Sequence, residues 1–190
     1  MASKFECEIR IFIDNIKEFE NKLIDLEAKV ILEYNFSDTY YKQTNQDWNP
    51  LNKTLRLRQW HNPNRGNFVY YSVTEFIENN GITFKRSKLK EGKKVLFKGD
   101  LGKAKEFLQK DNFESWLEVT KKDCKIWKSD KLPTAIVVEY IDELGWTAEI
   151  EVEGEDINQA SNNINEILQK INENNFSSKP VSVLVSEAKL

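Results

Sequence analysis

The sequence predicts an α+β fold in which an antiparallel β-sheet or barrel of at least seven strands carries helices on its outside. Several segments alternate apolar and charged residues with the period of two that is typical of strands. Three other segments repeat apolar residues at helical spacing. Their order is strand, helix, several strands, helix, three strands and helix, which favours strands that pair with their neighbours along the chain.

The first predicted strand is the stretch FECEIRIFI, residues 5–13. Its alternation places Glu6, Glu8 and Arg10 on one face and only apolar side chains on the other. A strand with two carboxylates and a guanidinium on one face raises the question of where that face points.

A helix and two strands follow. Residues 14–30 have apolar side chains at helical spacing, and Asp14 is expected to cap the start of this helix. The segments 31–43 and 53–60 are rich in aromatic and β-branched residues or alternate leucine with arginine, which predicts two strands.

The middle of the chain predicts a hairpin. Residues 66–76 and 81–89 each begin with a glycine and continue with strand formers, and the sequence Asn79-Asn80-Gly81 between them is typical of a tight turn. Residues 94–99 add a short strand, and a second helix is expected to begin near Asp100.

The last part of the chain predicts three more strands, a third helix and a tail. The strands are residues 115–128, 134–142 and 146–155. The helix is residues 156–174, and the tail is residues 179–190.

Length and composition exclude several classes of protein. The 190 residues are 39% hydrophobic, which suits one domain over residues 1–190. The net charge of -3 argues against a nucleic-acid partner. The chain has no apolar run long enough to cross a membrane, its start lacks the apolar core of a signal peptide, and its two cysteines have no metal-ligand spacing. We therefore expect a cytoplasmic protein that has no membrane partner.

The charged strands sort by sign. Glu149, Glu151 and Glu153 share one face of a late strand, as Glu6 and Glu8 do in the first. Basic residues occur between them, at Arg56, Arg58, Lys85, Arg86, Lys88, Lys121, Lys122 and Lys125. Each of these charged strand faces, taken alone, is typical of the solvated face of an antiparallel sheet. A solvated face usually mixes both signs of charge, however. The separation of acidic from basic strands therefore favours a functional site over a solvated surface.

If the charged faces point into the sheet, the like charges need partners, because an unpaired charge is costly to bury. Arginine and lysine bind phosphate oxygens, and clustered carboxylates bind Mg²⁺ or Mn²⁺. The pattern therefore indicates a metal-bound polyanion such as a triphosphate.

Four segments resemble, in the same order, the motifs of the CYTH superfamily, also called the triphosphate tunnel metalloenzymes. ECEIR is similar to the ExExK strand of that family, FSDTYYKQ to its DTYYDT segment, LRLRQ to its RxR strand, and ELGWTAEIEVE to its strand containing EIE. The similarity extends over roughly residues 5–185. It implies an eight-stranded antiparallel β-barrel that encloses a triphosphate, with helices outside.

The resemblance also implies roles for individual residues. The expected ligands of Mg²⁺ or Mn²⁺ are Glu6, Glu8, Glu139, Glu149 and Glu151. The expected phosphate contacts are Arg10, Arg56, Arg58, Arg86, Lys122, Lys125 and Lys179. Glu8 and Arg10 are also the expected catalytic residues.

Two positions depart from the family pattern. Arg10 stands where lysine is usual, and an arginine scarcely deprotonates. The strand FVYYSVTEF lacks the usual lysine and offers Ser72, Val73 or Thr74 instead.

The resemblance implies an enzyme that hydrolyses tripolyphosphate or another small triphosphate with a divalent metal. One alternative is a class IV adenylyl cyclase, which forms cyclic AMP from ATP. A second is a non-catalytic module that binds a nucleotide or polyphosphate. The expected partner is in each case a small triphosphate or nucleotide, and a homodimer is left open.

Overall fold

The computed structural model describes residues 5–44, 48–89, 93–110, 112–154 and 156–190, without the side chains of residues 5–7, 85–86 and 153–154. The strands in this part of the chain are β1 (Phe5–Phe12), β2 (Lys29–Gln43), β3 (Lys53–Asn62), β4 (Asn67–Asn79), β5 (Ile82–Ser87), β6 (Lys94–Gly99), β7 (Phe113–Lys128), β8 (Ile136–Ile141), β9 (Gly145–Gly154) and β10 (Phe176–Ser177). The helices are α1 (Ile16–Asp25), α2 (Leu101–Lys110), α3 (Ile157–Ile171) and α4 (Val181–Ala188). The predicted α+β class and the antiparallel sheet are confirmed.

The strands form one sheet in the order β10-β1-β5-β4-β3-β2-β7-β8-β9, with β6 on the edge of β4 and a further pairing between β1 and β9. The β1–β9 pairing runs along eight residue pairs, from Phe5↔Gly154 to Phe12↔Thr147. The predicted eight-stranded barrel is wrong in strand number, since ten strands are described. Within the described ranges the sheet is also not closed into a barrel along its length, because β1 meets β5 through two residue pairs there.

The apolar face of the sheet is its outer face, and α1 and α3 cover one part of it. Ile9 and Ile11 of β1 are completely buried and belong to the largest hydrophobic cluster. That cluster also contains Leu23 of α1 and Ile164 of α3. Because side chains alternate along a strand, an apolar outer face of β1 turns Glu8 and Arg10 toward the inside of the curved sheet.

The helix α2 covers a second part of the outer face, in a cluster where Ala104 and Leu108 pack against Leu55 and Leu57 of β3. Leu55 and Leu57 alternate with arginines, so their outward packing sends the arginines inward. This is the same division of faces that β1 shows.

The C-terminal segment, expected as a tail over residues 179–190, forms the helix α4. In α4, Val181 and Val185 pack against Tyr40 of β2, Leu117 of β7 and their neighbours. Pro180 fixes the backbone immediately before the helix. The helix α4 therefore packs an apolar surface against β2 and β7.

Local sequence explains where several elements begin. Asn15, rather than the predicted Asp14, caps α1, with its side chain accepting a hydrogen bond from the Glu18 backbone amide. Asn80 and Gly81 both have positive φ, which produces the predicted hairpin turn between β4 and β5. None of the helices in the described ranges is both long and apolar enough to cross a membrane.

We expect Leu23→Ala to lower the free energy of unfolding by about 2–5 kcal/mol, because Leu23 is fully buried between α1 and the sheet. Its neighbour Ile24 is 55% exposed, so Ile24→Ala is a matched control that should change stability by less than about 0.5 kcal/mol. Urea unfolding followed by tryptophan fluorescence measures both. Equal effects of the two substitutions would contradict this packing of α1.

Candidate functional site

The inward face of the sheet surrounds a cavity of about 300 Å³. Its charged lining residues are Glu8, Arg56, Arg58, Lys93, Lys121, Glu149 and Glu151. Acidic and basic rows that are far apart in the sequence therefore meet in one space.

Carboxylates from β1 and β9 form the acidic wall. Glu8 and Glu151 lie directly opposite each other in the β1–β9 pairing, and both line the cavity together with Glu149. Two like charges at opposed positions repel each other across a strand pair. A bound cation at this wall would relieve that repulsion.

A buried cluster of charges supports the acidic wall from behind. The Arg10 guanidinium donates to the carboxylates of Glu139 and Glu149 and to the Thr147 hydroxyl, and its Nη2 lies 3.6 Å from Glu8 Oε1. The Arg10 side chain is 1% exposed. Arg10 therefore holds Glu149 in place but is not itself among the residues that line the cavity.

Lys121 connects this buried cluster to the cavity. Its Nζ lies 2.7 Å from Glu139 Oε1 and 3.2 Å from Glu149 Oε2. Burial works to lower the pKa values of Lys121 and Arg10, but the carboxylates of Glu139 and Glu149 outweigh it and raise both. Both groups remain cations at neutral pH, so neither can accept a proton.

The basic wall is built on Asp38 of β2. Arg58 donates to the two Asp38 oxygens, from Nε at 2.8 Å and from Nη2 at 2.7 Å, and Arg56 Nη1 lies 3.1 Å from Oδ2. Burial acts to raise the pKa of Asp38, but the two arginines outweigh it and the net pKa is lowered. Asp38 orients both guanidinium groups while their remaining N–H groups stay available to a ligand.

An aromatic group lies beside the basic wall. Tyr34, Phe36 and Trp60 line the cavity, with ring centroids 5.2 to 5.8 Å apart. The Arg58 guanidinium carbon lies 3.7 Å from the Phe36 centroid. This stacking fixes the arginine further and gives the cavity one apolar surface.

Hydroxyl groups line the side of the cavity formed by β3, β4 and β5, at Thr54, Ser72, Thr74 and Ser87. Ser72 and Thr74 belong to the strand in which the family pattern has a lysine. Both side chains face the cavity, so β4 presents neutral hydrogen-bonding groups there.

Three lysines that the resemblance places against phosphate do not line the cavity, namely Lys122, Lys125 and Lys179. Lys122 pairs with Asp142 at 2.7 Å and Lys125 pairs with Glu20 at 2.7 Å. In the pairing of β7 with β8, the register shifts between these two lysines, and Asp123 has a φ of 49°. Lys121 lies opposite Phe36 of β2 and faces inward by simple alternation, so Lys122 faces outward. The bulge that follows shifts the alternation by one residue and turns Lys125 outward, toward Glu20 of α1.

Lys179 pairs with Glu187 of α4 at 2.7 Å, in an exposed ion pair. The side chains of Glu6 and Arg86 fall outside the described part of the structure. Glu139, an expected metal ligand, is completely buried against Arg10 and does not line the cavity.

Sequence reasoning missed Asp38 and Lys121 as site residues, together with the aromatic group. A signal for Asp38 was present, because Tyr34, Phe36, Asp38 and Tyr40 alternate along one strand and therefore share a face. A signal for Lys121 was present as well, because Lys121 alternates with Leu117 and Val119 along β7.

The acidic wall has the chemistry of a Mg²⁺ or Mn²⁺ site. Within the described ranges no three His, Cys, Asp or Glu side chains form a ready cage for a metal ion. Mg²⁺ is commonly held by only one or two carboxylates together with substrate phosphates and waters. The opposed carboxylates of Glu8 and Glu151 therefore fit such an ion.

Comparison with known proteins identifies the family of this chain. The family model for the CYTH domain matches residues 4–181. A search of curated proteins found no match.

Among solved structures, the PH1819 protein of Pyrococcus horikoshii is similar with a TM-score of 0.74 and 20% identity, over 96% of this chain and 99% of that one. An adenylate cyclase candidate from Vibrio parahaemolyticus has a TM-score of 0.69 and 17% identity, over 97% and 99%. HpAC1 from Hippeastrum, described as having a dominant triphosphatase activity, has a TM-score of 0.67 and 10% identity, over 98% and 97%. At these identities the structures show a shared fold.

We expect Asp38→Asn to lower the free energy of unfolding at pH 7 by about 1–3 kcal/mol, because it leaves Arg56 and Arg58 without their shared carboxylate. The pKa of Asp38 is lowered in the folded state, so its contribution is complete above the unfolded value of about 4 and is lost as the pH falls through the lower folded value. The difference between wild type and variant should therefore narrow below about pH 4.

Urea unfolding at a series of pH values from neutral to acid measures this difference. Asp142→Asn is the control, because Asp142 forms an exposed ion pair with Lys122. A difference that does not change with pH, or one no larger than that of the control, would argue against the role of Asp38.

Proposed function

This chain belongs to the CYTH domain family, and from that premise we propose that it is a metal-dependent enzyme that hydrolyses a phosphoanhydride bond of a small triphosphate. The observation that carries the proposal is the meeting of an acidic and a basic wall in one cavity of about 300 Å³. The triphosphatase activity described for HpAC1, which shares the fold, supports the same class of reaction.

The balance of charge differs between the two sides of the cavity. The described charged groups of the acidic side are Glu8, Glu139, Glu149, Glu151, Arg10 and Lys121. Most of these groups are carboxylates, whose oxygens are the kind of ligand that Mg²⁺ binds in proteins. On the basic side two arginines share one carboxylate, so positive charge remains for an anion.

In this proposal Glu8 and Glu151 hold Mg²⁺ or Mn²⁺, while Arg10 fixes Glu149 beside them. The ion, when bound, would neutralise phosphate charge and acidify a coordinated water. Arg10 changes from an expected catalytic residue to a positioning residue, because it is buried behind the wall.

Arg56 and Arg58 bind the phosphate chain on the opposite wall. Asp38 holds both guanidinium groups before substrate arrives, so little reorganisation is needed when the triphosphate binds. Lys121 donates from the side of the cavity and stays charged. Water then attacks the terminal phosphorus, the bridging P–O bond breaks, and tripolyphosphate yields phosphate and pyrophosphate.

A class IV adenylyl cyclase is the second candidate, and the aromatic group favours it. Tyr34 and Trp60 line the cavity and are only partly buried, so their rings could stack on a purine. ATP would then be the substrate, and cyclic AMP and pyrophosphate would be the products.

A binding module that does not turn its ligand over is the third candidate. Its support is that Arg10 and Lys121 both remain protonated, so no described amine or guanidinium beside the acidic wall is available as a base. Turnover would then depend on the bound ion alone to activate water.

A substrate panel tests the proposal. Purified protein is incubated with tripolyphosphate, ATP or thiamine triphosphate and with Mg²⁺ or Mn²⁺, and phosphate, pyrophosphate and cyclic AMP are measured. We expect Glu8→Gln to lower kcat at least about 100-fold, because it removes a carboxylate of the acidic wall. Arg56→Ala should raise KM about 10- to 100-fold, because it removes a charged donor to phosphate.

Lys122→Ala is the matched control, since Lys122 pairs with Asp142 away from the cavity and should leave KM unchanged. Tight binding of tripolyphosphate without release of any product would favour the binding module. Cyclic AMP from ATP would favour the cyclase. Glu8→Gln and Arg56→Ala variants as active as wild type would show that the reaction does not take place in this cavity.

A further inference from the structure

Lys93 differs from the other cations that line the cavity. Arg56, Arg58 and Lys121 each lie within 3.2 Å of a carboxylate oxygen. Lys93 lines the same cavity and is exposed, and it has no carboxylate partner within the described ranges. Its charge is therefore available to a ligand.

Three cationic groups surround the ring of Tyr70. The guanidinium carbons of Arg56 and Arg58 lie 5.7 and 5.8 Å from the ring centroid, and Lys93 Nζ lies 5.8 Å from it. The ring attracts all three, but it does not neutralise them. Asp38 is the one carboxylate that pairs with this group among the described residues, so two positive charges are left over.

The strand β6 explains how Lys93 reaches this position. Tyr70 pairs with Val95 and Tyr71 pairs with Lys94 in the antiparallel β4–β6 ladder. Continuing that register places Lys93 beside Ser72, whose side chain lines the cavity. The short strand β6 thus brings a cation to a part of the cavity where β4 itself presents a hydroxyl group.

We propose that Lys93 is a third anion-binding group of the cavity, and that it makes the site prefer a triphosphate to a diphosphate. The inference rests on the proposed function and deepens it. Arg56 and Arg58 hold the part of the phosphate chain that lies nearest Asp38. Lys93, at the exposed rim of the cavity, binds the phosphate group that lies farthest from the two arginines. A shorter anion satisfies the arginine pair and leaves Lys93 without a contact.

Direct binding tests this inference separately from turnover. Isothermal titration with inorganic tripolyphosphate and with pyrophosphate, at low ionic strength, compares wild type with Lys93→Ala, Lys93→Arg and Lys94→Ala. We expect Lys93→Ala to raise Kd for tripolyphosphate about tenfold and to change Kd for pyrophosphate much less. Lys93→Arg should bind like wild type because it keeps the charge.

Lys94→Ala is the matched control, because the adjacent Lys94 is exposed and does not line the cavity. The effect of Lys93→Ala should also shrink at high salt, since an exposed charge is screened, and loss of a structural contact would not show this dependence.

The outcomes separate the two proposals. If tripolyphosphate binds but is never cleaved, and Lys93→Ala still weakens its binding selectively, the hydrolase proposal fails and the role of Lys93 is supported. If Lys93→Ala binds both anions like wild type, or weakens both equally, the role of Lys93 is overturned even when turnover is observed.

Discussion

The need to neutralise charge inside a curved sheet is the constraint on which the rest of this structure depends. The strands turn their apolar faces outward, where α1, α2 and α3 cover them, and this leaves rows of carboxylates and guanidinium groups facing one another across a cavity. Charges of this kind are costly to bury unless each has a partner. In this fold one group can neutralise two others, since Asp38 forms ion pairs with both Arg56 and Arg58. At the basic wall two arginines share one carboxylate, and the remaining positive charge favours binding of an anion.

Stability and function are therefore not separable at the walls of the cavity. Asp38 is buried and directs two arginines, so the same contact that stabilises β2 against β3 also orients the groups that would meet phosphate. Such an arrangement lowers the cost of reorganisation on binding, because the donors are already in position. We therefore expect substitutions at Asp38 to affect folding and binding together, and we expect changes of Lys93, which is exposed, to have little effect on the fold.

Alternation along strands made much of the site predictable from sequence. It placed Glu8, Glu149 and Glu151 on one side and Arg56 and Arg58 on the other, and the structure brings all five to one cavity. Alternation fails where the backbone departs from it. The bulge at Asp123 shifts the alternation of β7 by one residue after Lys121 and leaves Lys125 outside the cavity, and no local sequence pattern predicts this shift. The same holds for the helix α4, which sequence patterns leave as a tail, and for Lys93, which precedes β6 and lies outside the alternating rows. Both positions depend on tertiary packing.

The arginine at position 10 can hold carboxylates in place but cannot act as a base. A guanidinium offers several donors in a planar fork, and Arg10 uses them to contact Glu139, Glu149 and Thr147 at once. A single ammonium group could not span these acceptors with the same geometry. The guanidinium does not deprotonate, however, and the surrounding carboxylates raise the pKa of Arg10 further. In the proposed hydrolase, activation of water would therefore come from the side of the cavity that Glu8 and Glu151 form, and Arg10 would contribute by holding Glu149 beside them.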